Sequence, residues 1–202
     1  MLDIPTIHAL HEETVARWHR EPVDNPYKDL LAVVCQQHAF NFNLWHEEDK
    51  ARSPSATDAT LAQVKRNIDK LNQQRNDWIE KIDEWLINDL LTRGITPGPD
   101  APLNTETPGS ATDRLSILSL RIFHLREQSE DASVTPERRA AAAERLPICL
   151  QQQKDLGGSL AQLVADIDAG RKRLRVYRQM KLYNDPRFNA YLAGTKAATP
   201  GA

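Results

Sequence analysis

A chain of 202 residues that is 40% hydrophobic and 27% charged has room for one generous domain or one long helical bundle. With a mean hydropathy of −0.58, this composition excludes a membrane-embedded chain and a wholly disordered one. Twenty-six Lys and Arg against 28 Asp and Glu leave a net charge of −2, which excludes a uniformly basic protein and argues against nucleic acid as partner. The start, Met1 to Pro5, lacks the basic stretch and apolar run of a secretory signal. No segment approaches the roughly 18–20 apolar residues of a membrane span. The only cysteines, Cys35 and Cys149, sit in helical patterns, so a cytoplasmic protein with free, reduced thiols is expected. No Cys/His cluster suggests structural zinc, and the sequence specifies no cofactor.

Residues 5–20 are predicted to form a first helix, with Ile7, Leu10, Val15 and Trp18 inward. Glu21-Pro22 and Asn25-Pro26 end it, because a residue before proline is pushed out of the α region. From Pro26 to Arg52, the positions Leu31, Val34, Cys35, His38, Phe42, Trp45 and Asp49 step by three and four along one face. A second long helix is predicted from Thr57 to Arg93, carrying Leu61, Val64, Ile68, Leu71, Arg75, Trp78, Ile82 and Leu86 inward. Gly94 supplies its C-terminal cap, and Pro97-Gly98-Pro99 prevents its resumption. After the longest loop, 94–106, Thr107-Pro108 gives a helix start that runs to about Ser129. Thr135-Pro136 starts another, in which Pro147 is expected to kink or split the helix and Gly157-Gly158 marks a second weak point. Asn184-Asp185-Pro186 reads as a turn, and the small, polar tail 193–202 as disordered. Strand signals are missing throughout. The expected fold class is all-α, an antiparallel bundle of long helices forming one domain over 1–192.

Three polar residues sit where the pattern asks for apolar ones: His38, Asp49 and Arg75. If consecutive helices are antiparallel, a turn near residue 55 pairs His38 with Asn72 and Arg75 with Cys35. By the same reasoning, the loop before Thr107 brings His124 level with Asn76. These residues can form one mid-bundle polar layer, either a network that fixes helix register or a ligand pocket. The run from Trp45 to Arg52 is the densest cluster of functional side-chain types. His46 and Asp49 lie three apart and Glu48 and Arg52 four apart, so each pair shares a helix flank. A His–carboxylate pair can do acid–base work, which makes His46, Glu48 and Asp49 the catalytic candidates, while a salt bridge on a solvated helix end explains the same spacing. No histidine has Glu three residues before it, and neither HExxH nor a hydrolase elbow occurs, so no metal site is assigned. The helix start at Thr107, Gly109 and Ser110, with Arg114 nearby, offers backbone N–H groups to a phosphate or carboxylate. Glu106 and Asp113 add opposing charge there, and a plain helix cap explains Thr-Pro equally well.

Residues 171–181 hold six positive charges and no negative one, so the remainder of the chain sums to −8. Tyr177 and Tyr183 add aromatic character. Phosphate or nucleotide-sugar binding, an anionic surface, or docking on the acidic remainder of the bundle all account for this segregation.

Four blocks resemble an uncharacterised bacterial family of helical proteins, a domain of unknown function. They are Asn43 to Arg52, Asn72 to Asp77, Glu106 to Ser110 continuing through Asp113 to Leu118, and Tyr177 to Pro186. Members of that family resemble one another in being encoded near glycosyltransferases of surface-polysaccharide assembly. The resemblance therefore implies glycan biosynthesis and transfers no reaction or catalytic residue. Two readings follow. In the first, a helical-bundle site recognises an anionic small molecule, a phosphorylated or nucleotide-linked sugar. Its ligand-binding candidates are Arg52, Arg75, Thr107, Gly109, Ser110, Asp113, Arg114, His124, Tyr177, Arg178, Lys181, Asn184 and Asp185, with Arg114, Arg178 and Lys181 holding the anion. In the second, the chain is a non-catalytic interaction protein, a homodimer or an accessory subunit for a glycosyltransferase, using its Trp-bearing helices. A concave pocket joining Asp49 or Asp113 to Arg178 separates the first from the second, which requires a broad exposed apolar face including Trp78 or Trp85.

Overall fold

A computed structural model describes residues 2–194, so most of the tail expected to be disordered lies outside the described residues. Five helices follow one another: α1 Ile4–Trp18, α2 Asp29–Ala51, α3 Asp58–Thr92, α4 Pro108–Glu130 and α5 Pro136–Asp168. A single 3-10 turn, Leu182–Asn184, follows. Among the described residues the only β pairing is an isolated bridge between Leu103 and Arg173. The fold is all-α, as the hydrophobic periodicity predicts.

The helix starts carry the expected chemistry. Asp3 accepts from the Thr6 N–H at 3.0 Å and Thr57 from Thr60 at 3.2 Å, each satisfying an orphan donor of the first turn. At α4, Thr107 and Ser110 cap each other reciprocally, and Pro108 occupies the first turn. Gly94, at φ +69°, takes the left-handed conformation that ends α3.

Helix α4 is the axis of the molecule: it packs against α1, α2, α3 and α5, while α2–α3 and α4–α5 form two extensive antiparallel hairpins. Its sequence permits this. Gly109, Ala111, Thr112, Ser116 and Ser119 are all buried, and such small side chains let neighbouring backbones approach from several sides. The core around it contains Ile7, Val15, Val34, Ile82, Leu115, Leu120 and Leu160. Each fully buried aliphatic side chain contributes about 1.5–3 kcal/mol.

Helix α5 runs unbroken through both of its weak points. Pro147 and Ala143, whose carbonyl loses its donor, lie on an exposed flank that water can reach. Gly157 has a packing reason: a Cβ there would meet the His8 Nε2 at 3.0 Å, because α1 presses on α5. Beyond α5 the chain is sewn to the α3–α4 loop. Gly98 donates to the Gly170 carbonyl at 2.9 Å and Arg173 to the Pro102 carbonyl at 2.9 Å.

Candidate functional site

The polar layer centres on Asp113 of α4, which is buried. One of its oxygens accepts from Gln37 Nε2 at 2.6 Å, Asn41 Nδ2 at 2.9 Å and Arg75 Nε at 2.7 Å. Its other oxygen accepts from the second arm of the Arg75 fork. This bidentate pair joins α3 to α4, and the two amides join α2 to both. Asn41 also donates to Ser116 Oγ at 2.9 Å, and Ser116 lies 2.6 Å from His38 Nδ1. His38 and Arg75 therefore belong to one network, as their levels predict. His38 is fully buried, and burial pushes its pKa down to about 3. The neighbouring His11, with ring centroids 4.4 Å apart, is also driven well down by burial.

On the solvent side of this network lies a cleft of about 450 Å³ between α2, α3 and α4. Trp45, Glu48, Asp49 and Arg52 line it from α2, and Asn72 and Arg75 from α3. Ile117 and Leu120 close it from α4. Two of the blocks singled out in the sequence thus meet across one cleft, backed by Asp113 from a third. Arg52 pairs with Glu48 at 2.7 Å, so the expected i,i+4 bridge forms at the cleft edge. Asp49 is exposed.

His46 faces the other way. Its ring packs on Phe42 at 4.5 Å and on His19 of α1 at 5.2 Å, and it does not line the cleft. His124 stacks on Trp45 at 4.7 Å and lies 5.1 Å from His19, so it joins this aromatic cluster rather than the Asn72–Arg75 layer. Burial first, and the nearby His19 second, lower the pKa of both His46 and His124. His19 Nδ1 bonds the Val15 carbonyl at 2.7 Å. No group of three or more metal-binding side chains among the described residues is placed to hold a metal ion.

The start of α4 is occupied by the protein itself. The Gly109 N–H donates to Asp83 Oδ1 at 2.7 Å, and Asp83 is 2% exposed. Burial raises its pKa to about 6, against the lowering effect of bonds from Thr107 and Gly109. The carboxylate expected at this helix terminus is an internal one, and Thr107, Gly109 and Ser110 are engaged in holding it and in capping.

Nor does the cleft reach the basic segment. Arg178 forks onto two carboxylates of α3, Glu80 at 2.8 Å and Glu84 at 2.5 Å. Asn184 donates to Gln73 at 3.5 Å, and Asp185 is held by Arg187. Tyr177 is exposed, and neither it, Arg178, Lys181, Asn184 nor Asp185 lines the cleft. Docking on the acidic body is thus what Arg178 does.

Arg114 lies elsewhere, paired with Glu106 at 3.3 Å, on the wall of a second cleft of about 820 Å³ between α4, α5 and the 104–106 loop. Arg121, Lys172, Gln152 and Asp155 also line it. The two clefts share Ile117 as a common wall.

The family model described as "Protein of unknown function (DUF4254)" matches residues 31–176, most of the chain. The chain belongs to this family. No curated protein and no solved structure matches it. The DUF4254 match spans nearly all of α2, then α3, α4, α5 and every residue of both clefts, and leaves out α1 and everything beyond residue 176.

Sequence reasoning passed over Gln37, Asn41, Ser116, Asp83 and Arg121. Gln37 and Asn41 stand four apart beside the inward Val34 and Cys35, and Asp83 adjoins Ile82 in the apolar stripe. Those placements are the same signal that singled out His38 and Arg75. Arg121 carries no such mark, because an exposed arginine on a helix flank is ordinary.

Proposed function

We propose that this DUF4254 member binds a phosphorylated or nucleotide-linked sugar across the two adjoining clefts, in the service of glycan assembly. The observation that carries the reading is the Ile117 side chain they share, with Trp45 among balanced charges (Glu48 and Asp49 against Arg52 and Arg75) on one side and an excess of cations on the other. The smaller cleft offers a tryptophan face for a sugar ring, with Asn72, Glu48 and Asp49 to bond its hydroxyls. The larger offers Arg114, Arg121 and Lys172 against Glu106 and Asp155, a net +1 suited to phosphate. Both volumes suit a small-molecule ligand. Glu48 and Asp49 are the groups available for acid–base work on a bound sugar, and His124 supports Trp45 by stacking on its ring.

A thermal-shift panel tests this, using a nucleotide-linked hexose, a hexose phosphate, the free hexose and inorganic phosphate. At a hundredfold excess over Kd, a ligand stabilises by about 2.7 kcal/mol. The nucleotide-linked hexose should raise the melting temperature in the parent chain and less in Arg121→Gln, while Trp45→Ala should remove the difference between hexose phosphate and phosphate alone. A flat response across the panel overturns the reading.

The interaction-protein reading is left with a different surface from the one expected. Trp78 and Trp85 are half-buried, and the exposed large apolar side chains concentrate beyond residue 176.

A further inference from the structure

The segment 178–194 is folded inside out. It is held against α3 by polar contacts: the Arg178 fork on Glu80 and Glu84, the Gln179 N–H on Glu80 at 2.9 Å, and Asn184 on Gln73. Its apolar side chains stand in solvent. Met180 is 73% exposed, Tyr183 62% and Phe188 64%, with Leu182, Tyr191 and Leu192 each above half. Met180 even takes φ +42°, a left-handed conformation rarely adopted by a residue with a side chain, in the turn leading to Leu182–Asn184. A segment stabilised only by its own packing would bury these groups and expose the charges.

The same stretch is strongly basic. Residues 171–192 hold seven Lys and Arg against one Asp, +6, and the carboxylates that contact them from the body, Asp166, Glu80 and Glu84, reduce this only to +3. Arg173 and Arg175 are exposed, and neither forms an ion pair among the described residues. Tyrosine, phenylalanine, leucine and methionine interleaved with cations is the composition that settles at the headgroup level of a bilayer, where aromatic rings span the polar boundary and cations meet anionic lipid. No helix of the described residues is long and apolar enough to cross a membrane, so such contact is peripheral.

We infer that residues 171–192 form a peripheral anchor that docks this chain on an anionic lipid surface. The apolar groups are strung along an irregular segment rather than gathered in a groove, which suits insertion among headgroups better than a complementary protein pocket. The Arg178 fork fixes the segment to α3.

Co-sedimentation of the full chain with vesicles tests the inference, using phosphatidylcholine alone and phosphatidylcholine mixed with phosphatidylglycerol. The parent chain should pellet with the mixed vesicles and stay in solution with the neutral ones. Arg173→Gln with Arg175→Gln should lower the partition coefficient about 25-fold at low salt, roughly fivefold per charge removed near the surface. Phe188→Ser with Tyr191→Ser should remove the binding that survives at high salt. Both pairs change exposed side chains, so the melting temperature should not move, which separates lost docking from lost folding. The inference is overturned if the parent chain ignores both vesicles or binds both equally. It is overturned too if Phe188→Ser with Tyr191→Ser abolishes a concentration-dependent dimer while no vesicle is bound, because the segment then serves a second copy.

Discussion

Replacing Asp113 with alanine removes a carboxylate that ties three helices together. Four hydrogen bonds are lost at once: one from Gln37 Nε2, one from Asn41 Nδ2 and two from the Arg75 fork. Breaking a buried ion pair from one side costs about 3–5 kcal/mol, because the remaining charge is left uncompensated. The Arg75 side chain retains 27% exposure, so water recovers part of that cost, and Asn41 keeps its bond to Ser116. Gln37 is fully buried and has no such recourse; an orphaned donor there costs about 1–3 kcal/mol. The net expectation is a loss of about 4 kcal/mol, which for a domain of this size lowers the melting temperature by about 8–16 °C. Urea unfolding of Asp113→Ala, Arg75→Ala and the double variant measures it. The double variant should be more stable than the sum of the single losses implies, by about 2 kcal/mol, since neither charge is then stranded. An Asp113→Ala loss below about 1 kcal/mol, or strictly additive losses, would refute the network as described.

Gly109→Ala would put a Cβ 2.4 Å from the Ile79 carbonyl oxygen, a backbone atom that cannot rotate away. After the better helix propensity of alanine is allowed for, a net loss of about 2–3 kcal/mol is expected in chemical denaturation. The two buried imidazoles set the acid response. Their folded pKa values lie below 6.5, so the stability they contribute is present above that pH and is lost as pH falls toward the folded pKa of about 3 for His38. Asp83 works the other way: with a folded pKa of about 6 against 3.8, its contribution is present at low pH and is lost as pH rises through 6. Urea midpoints between pH 3 and 7 should therefore fall on acidification less steeply than the histidines alone require, and Asp83→Asn should steepen the fall. Arg178→Ala should leave the melting temperature within about 2 °C, as exposed ion pairs contribute only about 0–1 kcal/mol, while speeding proteolysis at 171–192.

Much of the fold was legible because helix starts and stops are local chemistry. Thr107-Pro108, Thr135-Pro136 and Gly94 fall where caps require them. The α2–α3 register was legible too, since a short turn leaves little freedom, and Arg75 meets Gln37 and Asn41 through Asp113 close to the expected level. The α3–α4 register was not. Level counting assumes a symmetrical loop, but Asp83 meets Gly109, so the nine residues that follow it in α3 overshoot the start of α4 by about 14 Å. The loop doubles back along them, and His124 consequently sits beside Trp45 and His19 instead of Asn76. The candidate site was half legible for a related reason. Periodicity places a residue on a face, and it set Asp49 and Arg75 on inward faces but in two separate clusters, which the fold brings to one cleft. It is silent on which side of Trp45 the His46 ring turns, because that depends on α1. It is equally silent on what occupies a helix terminus: Asp83 comes from 26 residues before Gly109 and is drawn there by tertiary packing.

The central claim is that two clefts divided by Ile117 hold one ligand, its sugar on the Trp45 side and its phosphate on the Arg121 side. Isothermal titration of a nucleotide-linked hexose into the parent chain, Trp45→Ala, Arg121→Gln and the double variant tests it most directly. Saturable binding at one site per chain is expected, weakened by about tenfold or more in each single variant and abolished in the double. Binding of equal strength in all four proteins, or none in the parent chain, would contradict it.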